Sequence, residues 1–548
     1  MENYSKAQMD ALSDEILSEF NHVKGNRGNW ESHWTEIAER FIPSQSQQFK
    51  SKGSNSSNGS KNTEFIFDST PTIALNRFAA ILDSMLTPRN STWHKLGASN
   101  PLIAKDRQAQ IWFEEATRLL FKYRYAPEAN FASQNQQVWK SIGAFGSGAM
   151  FTDDLIGGKG LRYKSIHLSE IYFVENHQGT VDKNLRHFPL TARQAYQKWG
   201  DKCPEAVINS IKTAPDKQFY FLHCVRPNTE IDYERFDYKG MKFTSYYLSI
   251  EGKKIIEWGG YNSNPYAISR YEQASGEVYG RGPAMDVLPA VKTLNEQKKT
   301  LLKQGHRAVD PVLLVHDDGI IDTFSMKPGH MNAGGVSSEG RALVHTLPVG
   351  NVSVGKDMMD DERAVINDAF LVSLFQILTD TGTQTATEVM ERAREKAILI
   401  APVLGRQQTE YLGPMIDREL DILSRQGVLP PMPGILKEAK GEYTIQYESP
   451  LARSQQSESV SGFMRTLESA LQIANVTQSM APLYHFNFKA AIPEIAMIQG
   501  SPTKWMNTPD QVAALEDSEA QQQQAAQAQA AAPGQAALIK AAAVAQGR

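Results

Sequence analysis

The sequence predicts an α+β protein, mostly helical, and three observations carry that expectation. Long stretches place apolar residues at helical spacing, among them Trp30, Trp34, Ile37, Ala38 and Phe41. From about 149 to 271 the pattern changes to short aromatic and β-branched runs separated by turn residues, which read as strands. A length of 548 residues, 41% hydrophobic and 22% charged, is enough for several domains around sizeable cores.

Taken in order, residues 5–42 read as helices, followed by a polar stretch, 44–63, that cannot pack. Helical periodicity resumes at Thr70–Leu86, Gln108–Tyr123 and Phe131–Phe145. LRYKSIHL, IYFVEN, QFYFLHCV, FTSYYLSI and KIIEWGG then supply the strands of an antiparallel, mixed body. Residues 279–309 predict a helix with two unlike faces. Val287, Leu294, Leu301 and Ala308, with Ala290 and Val291, form an apolar stripe, and Lys292, Lys299, Lys303 and His306 project opposite. Pro283 suits the first helical turn, and Pro289 requires a start or a kink nearby.

Short strands and Gly-rich loops fill 311–354. A second helix is expected from about Asp357 to Leu378, with acidic residues in its opening turns and a core stripe of Met358, Val365, Ala369 and Val372. A polar break follows over Thr379–Thr387. Thr385 and Glu388 have capping-box spacing for another helix reaching towards Arg425, kinked at Pro402 and Pro414. YTIQYES reads as a strand, 451–500 as helix, and the tail from about Gln511 as Ala/Gln-rich chain that is helical or disordered.

The net charge of −4 gives no global attraction for nucleic acid, so any such contact needs a local basic surface. Cys203 and Cys224 have no metal-ligand spacing and read as reduced. The N-terminus lacks a secretory pattern, and no apolar run approaches the roughly 18 residues of a membrane span. No GxxxxGK[ST], HExxH, CxxC or GxSxG occurs. The sequence therefore nominates no catalytic residue, no cofactor and no metal site.

Five segments in register resemble one family: FDSTPTIALNRFAAILDSMLTP followed by Trp93 and Leu96; IYFVENHQGTVDKNLRHFPLTARQAYQKWG; NPYAISRYEQASGEVYGRGPAMDVLPAVKTLN; TATEVMERAREK; and YESPLARSQQ. In this order they resemble the portal, or head-to-tail connector, proteins of T7-like short-tailed bacteriophages, up to about residue 510. The resemblance implies a ring of about a dozen subunits, a dodecamer, closed by cyclic symmetry at one capsid vertex. It implies a wing over 1–282, a stem helix over 283–309, a clip over 310–354 and a second stem helix over 355–379. A tunnel loop and long kinked wing helix would occupy 380–448, and a crown 449–510, leaving 511–548 as tail.

Under that resemblance Lys292, Lys299, Lys303 and His306 line the DNA channel, although salt bridges to Asp360, Asp361 and Asp368 would use them equally well. Thr379, Asp380, Thr381, Gly382, Thr383 and Gln384 form the tunnel loop, or a plain interhelix turn. Lys327, His330 and Arg341 lie in the clip, which meets partners or merely connects strands. The implied partners are other copies of the chain, double-stranded DNA in transit, the terminase large subunit, a tail adaptor, and the major capsid and scaffolding proteins, with no membrane. The implied location is the portal vertex of the virion, after assembly in host cytoplasm. A packaging ATPase or nuclease, or a scaffold without a channel, is the alternative.

Overall fold

The computed structural model describes residues 6–49, 62–104, 106–232, 234–235, 237–315, 325–348, 352–373, 401–438, 441–448, 450–499, 501–508 and 510–523. Backbone contacts divide the chain into two compact units, 1–93 with 119–429, and 94–118 with 430–548.

The larger unit is built around a five-stranded antiparallel sheet ordered Ile171–Glu175, Val181–Thr191, Gln218–Pro227, Phe243–Ser249, Lys254–Tyr261. Alternation along its strands sends side chains to two separate cores. Ile16 and Phe20, from the helix Lys6–Gly25, cover Leu185, Leu222, Cys224 and Leu248 on one face. The helices Ala192–Trp199 and Glu205–Thr213 cover Phe188, Phe219, Phe221 and Tyr247 on the other. The first of these helices starts where it does because Thr191 and Gln194 form a reciprocal capping box. Both cysteines are free and buried, Cys203 in one core and Cys224 in the other.

A second sheet of three strands, ordered Leu161–Ile166, Ser147–Asp154, Tyr266–Arg270, adjoins the helices Thr70–Leu86 and Phe131–Phe145. Both helices start and stop where the periodicity predicts. They approach closely because Gly143 has no side chain: a Cβ there would lie 2.7 Å from Leu75 Cδ1. The helical segment described from 401 to Arg425 contains a π-helical stretch, Gln407–Leu412, between Pro402 and Pro414. The Gln407 side-chain amide Nε2 donates to the Arg270 carbonyl at 2.8 Å, and Arg270 grips Glu410 at 2.8 and 2.9 Å.

The smaller unit pairs His94–Ala98 with Tyr443–Tyr447 in an antiparallel ribbon. Helices Pro450–Thr477 and Phe488–Ile498 belong to it, as does a helix over 510–523. Trp112 Nε1 donates to the Pro430 carbonyl at 3.0 Å, and Arg107 to that of Met506 at 2.6 Å. Among the described residues, no helix is long and apolar enough to cross a membrane.

Candidate functional site

The basic helix is rooted in the larger unit by three glycines. Gly146 ends the Phe131–Phe145 helix at φ +72°, a conformation glycine adopts without strain. The chain entering the basic helix runs flush against it. A Cβ on Gly280 would lie 2.2 Å from the Gly146 carbonyl oxygen, and one on Gly282 2.7 Å from the Gly146 nitrogen. Thus the motif YGRGP sets where the helix begins. One short turn, Pro283–Asp286, precedes a break at Val287, and the helix proper spans Leu288–Val309 with Pro289 in its first turn.

Its buried face holds Leu288, Val291 and Leu294, and Leu301 meets Gly355 of the following helix. Ala308, expected in the same stripe, is exposed. That following helix spans Val352–Ala369, so it begins earlier than expected; it breaks at 370–371, where Leu371 takes φ +61°, and helix resumes at 372–373, while the rest of the expected span, 374–378, lies outside the described residues. Its buried residues are Met359, Ile366 and Phe370. Met358 and Val365, read from the sequence as core, are instead 52% and 51% exposed. The two helices run antiparallel and form a hairpin, joined by a small ribbon in which Leu313–Val315 pairs with Val344–Thr346.

A strap over residues 63–69 ties both hairpin helices to the body. Asn295 Oδ1 accepts from the Phe67 main-chain N–H at 2.8 Å, and its Nδ2 donates to the Phe65 carbonyl at 2.8 Å. Asp68 takes a 2.6 Å charge-assisted bond from Arg363, which also holds Asp360 at 2.7 Å. Burial works against the Asp68 charge, but hydrogen bonds from Thr70 and Arg363 hold its carboxyl below the usual range. Beside the strap lies a cavity of about 570 Å³, whose walls include Arg40, Glu64, Phe67, Glu296 and Lys299.

The four basic side chains differ in their surroundings. Lys292 pairs with Glu36 and, through that hydrogen bond, keeps the Glu36 carboxyl below its ordinary range. Lys299 lies 3.6 Å from Glu296 and 5.8 Å from the Phe67 ring. Lys303 and His306 are exposed near the far end of the helix. Lys327, His330 and Arg341 are also exposed; the His330 main-chain N–H donates to the Lys327 carbonyl at 3.1 Å, Arg341 lies 3.8 Å from Glu339, and no described side-chain contact joins the three. Thr379, Asp380, Thr381, Gly382, Thr383 and Gln384 lie outside the described residues.

Sequence reasoning missed the strap and the Glu36 partner. Asp68 stands before Ser69-Thr70-Pro71 as a helix-start signal, and Thr70 N–H does bond its Oδ1 at 2.9 Å. Nothing local, however, announces that Asn295 will hold a segment more than two hundred residues earlier.

Residues 13–506 match the family described as bacteriophage head to tail connecting protein. That match covers the body, the strap and the whole hairpin. The chain belongs to this family. The connector is also 26% identical over 526 residues to the portal protein of Salmonella phage epsilon15, across 93% of this chain and 92% of that protein. It is 25% identical over 523 residues to the probable portal protein of Bordetella phage BPP-1, across 93% and 91%. Portal identity, read first from five short segments, therefore rests on nearly the full chain. The family is a structural one, and a head-to-tail connector is a component of the virion.

Proposed function

We propose that copies of this connector close side by side into a ring, a dodecamer, at one capsid vertex, and that double-stranded DNA enters and leaves the head through its bore. The observation that carries this is the family match, which runs unbroken through the hairpin and the body that anchors it. In this reading the wing comprises 1–282 and 380–448, the stem 283–309 and 355–379, the clip 310–354 and the crown 449–510, with 511–548 as tail. Lys299, Lys303 and His306 then offer repeated positive charge around the bore. Duplex DNA carries about one charge per 1.7 Å of axis, so sparse rings of cations meet phosphates at every step of transit. Lys292, paired with Glu36, contributes less.

Thr379–Gln384 narrows the channel, and its hydroxyls and glycine add little charge that could stall the duplex. The terminase large subunit docks on the clip around Lys327, His330 and Arg341, and a tail adaptor takes the same face after packaging. The energy for translocation comes from that motor, and the connector itself makes and breaks no bonds. Assembly takes place in host cytoplasm with the major capsid and scaffolding proteins. Deleting Asp380–Thr383 is expected to leave ring assembly intact while impairing packaging or retention of DNA, measured as the fraction of filled heads. Heads filled and stable at the parent level would remove the constriction from the account.

A further inference from the structure

Among the described residues, one face of the second hairpin helix has no counterpart within its own chain. Val354, Met358, Asp361, Val365 and Asp368 recur every three or four residues, which places them on one side of the helix. The three apolar members are 54%, 52% and 51% exposed, on the side away from buried Met359, Ile366 and Phe370. Asp357 flanks the same side and is exposed, as are Asp361 and Asp368. Among the described residues, no cation of the chain pairs with Asp357, Asp361 or Asp368. A half-apolar, half-acidic stripe of this kind suits a second helix that is apolar and basic.

The first hairpin helix offers that complement. Leu302 is 44% exposed, Lys299 is partly exposed and Lys303 is exposed, and Lys303 has no acidic partner among the described residues. The heights also agree. A Cβ on Gly355 would lie 3.1 Å from Leu301 Cδ1, which sets the vertical register of the antiparallel pair. From that point, rise along one helix matches descent along the other. Val354 stands level with Leu302, Asp357 with Lys299, and Asp361 within about a turn of Lys299. These residues cannot meet inside one chain, because the two helices already pack through Leu301 and Gly355. A rotated copy brings them together.

We infer that the Val354/Met358/Asp361/Val365 face seats on the first hairpin helix of a second copy of this chain, with Asp357 between Lys299 and Lys303 of that copy and Asp361 within about a turn of Lys299. The contact is heterologous, so it repeats around a closed ring. It rests on the ring reading above and deepens it. Part of the basic stripe is then neutralised between copies, and His306 is the stripe residue left outside that contact.

Two charge-reversed full-length chains test this: Asp357→Lys with Asp361→Lys, and Lys299→Glu with Lys303→Glu. Each change is made at exposed helix positions, and circular dichroism reports whether the fold is kept. Mass photometry of the parent chain reads the ring. Each reversed chain alone should lose the ring peak and run as subunits, because like charges then face each other across every contact. A chain carrying all four changes should recover the ring. A folded acid-reversed chain that still forms rings, or a four-change chain that stays dissociated, would overturn the inference. A parent chain that forms no ring at all would sink the ring reading itself, a result distinct from both.

Discussion

At the scale of single residues, the larger unit depends on charges that it has removed from water. Arg124 and Glu419 are fully buried, with Nε 3.0 Å from Oε1, and the Tyr163 hydroxyl donates to the same carboxylate at 2.7 Å. The guanidinium also lies 4.6 Å from the Trp93 ring. Burial opposes the charge on Arg124, yet Glu419 raises its pKa above the ordinary value. A buried pair of this sort is expensive to break, because the survivor keeps its charge without compensation. Glu419→Gln should therefore cost about 3–5 kcal/mol of stability, read from the shift in denaturant midpoint at unchanged slope. A loss below about 1 kcal/mol would show that water or another group takes over the arginine. Arg27 is handled differently: it is buried against carbonyls, donating at 2.6 Å to Ile171 and 3.0 Å to Leu168, with Tyr172 stacked 3.5 Å away. No periodicity could have announced either arginine as a core residue: Glu31 pairs with Arg27 at 2.7 Å from one turn on, but the carbonyls that hold Arg27 and the Glu419 that holds Arg124 are distant in sequence, and charge is ordinarily a surface signal.

At the scale of elements, the hairpin is positioned by the strap as well as by its own packing. Asn295 satisfies one N–H and one C=O of the strap, and Arg363 fixes Asp68 from the other helix. Asn295→Ala removes both backbone partners at once and should cost about 1–3 kcal/mol locally. Amide exchange over residues 63–69 should then accelerate roughly tenfold or more, as about 1.4 kcal/mol corresponds to a factor of ten. Exchange unchanged from the parent would mean that the strap is held elsewhere. The same elements show how far local pattern reaches. Thr70–Leu86 and Phe131–Phe145 are legible to the residue because their ends carry chemistry, Pro71 in the first turn of one and Gly146 after the last turn of the other. The strand Val181–Thr191 was not legible: it has a run of five consecutive buried residues, including Arg186 and His187, and so lacks alternation. Arg186 is tolerated there because Glu170 accepts from it at 3.0 Å. Met358 and Val365 were read as core because apolar spacing says that a face wants burial without saying in which chain. Of the proposed site, the basic helix and its root were legible, and the strap and the pairing of Lys292 with Glu36 were not.

At the scale of the whole molecule, function is a matter of assembly. One copy leaves Val354, Met358, Val365 and Leu302 half in water on the hairpin, and Val312, Leu314 and Val315 on the ribbon that joins it. Apolar residues exposed in a row along one helix face mark a surface suited to contact. In the ring proposed for this connector, every copy would cover its neighbour without leaving an open end. The most direct measurement is negative-stain imaging of the purified full-length chain under assembly conditions. The account predicts closed rings of about a dozen copies with a stain-filled central opening; single particles with no opening would contradict it.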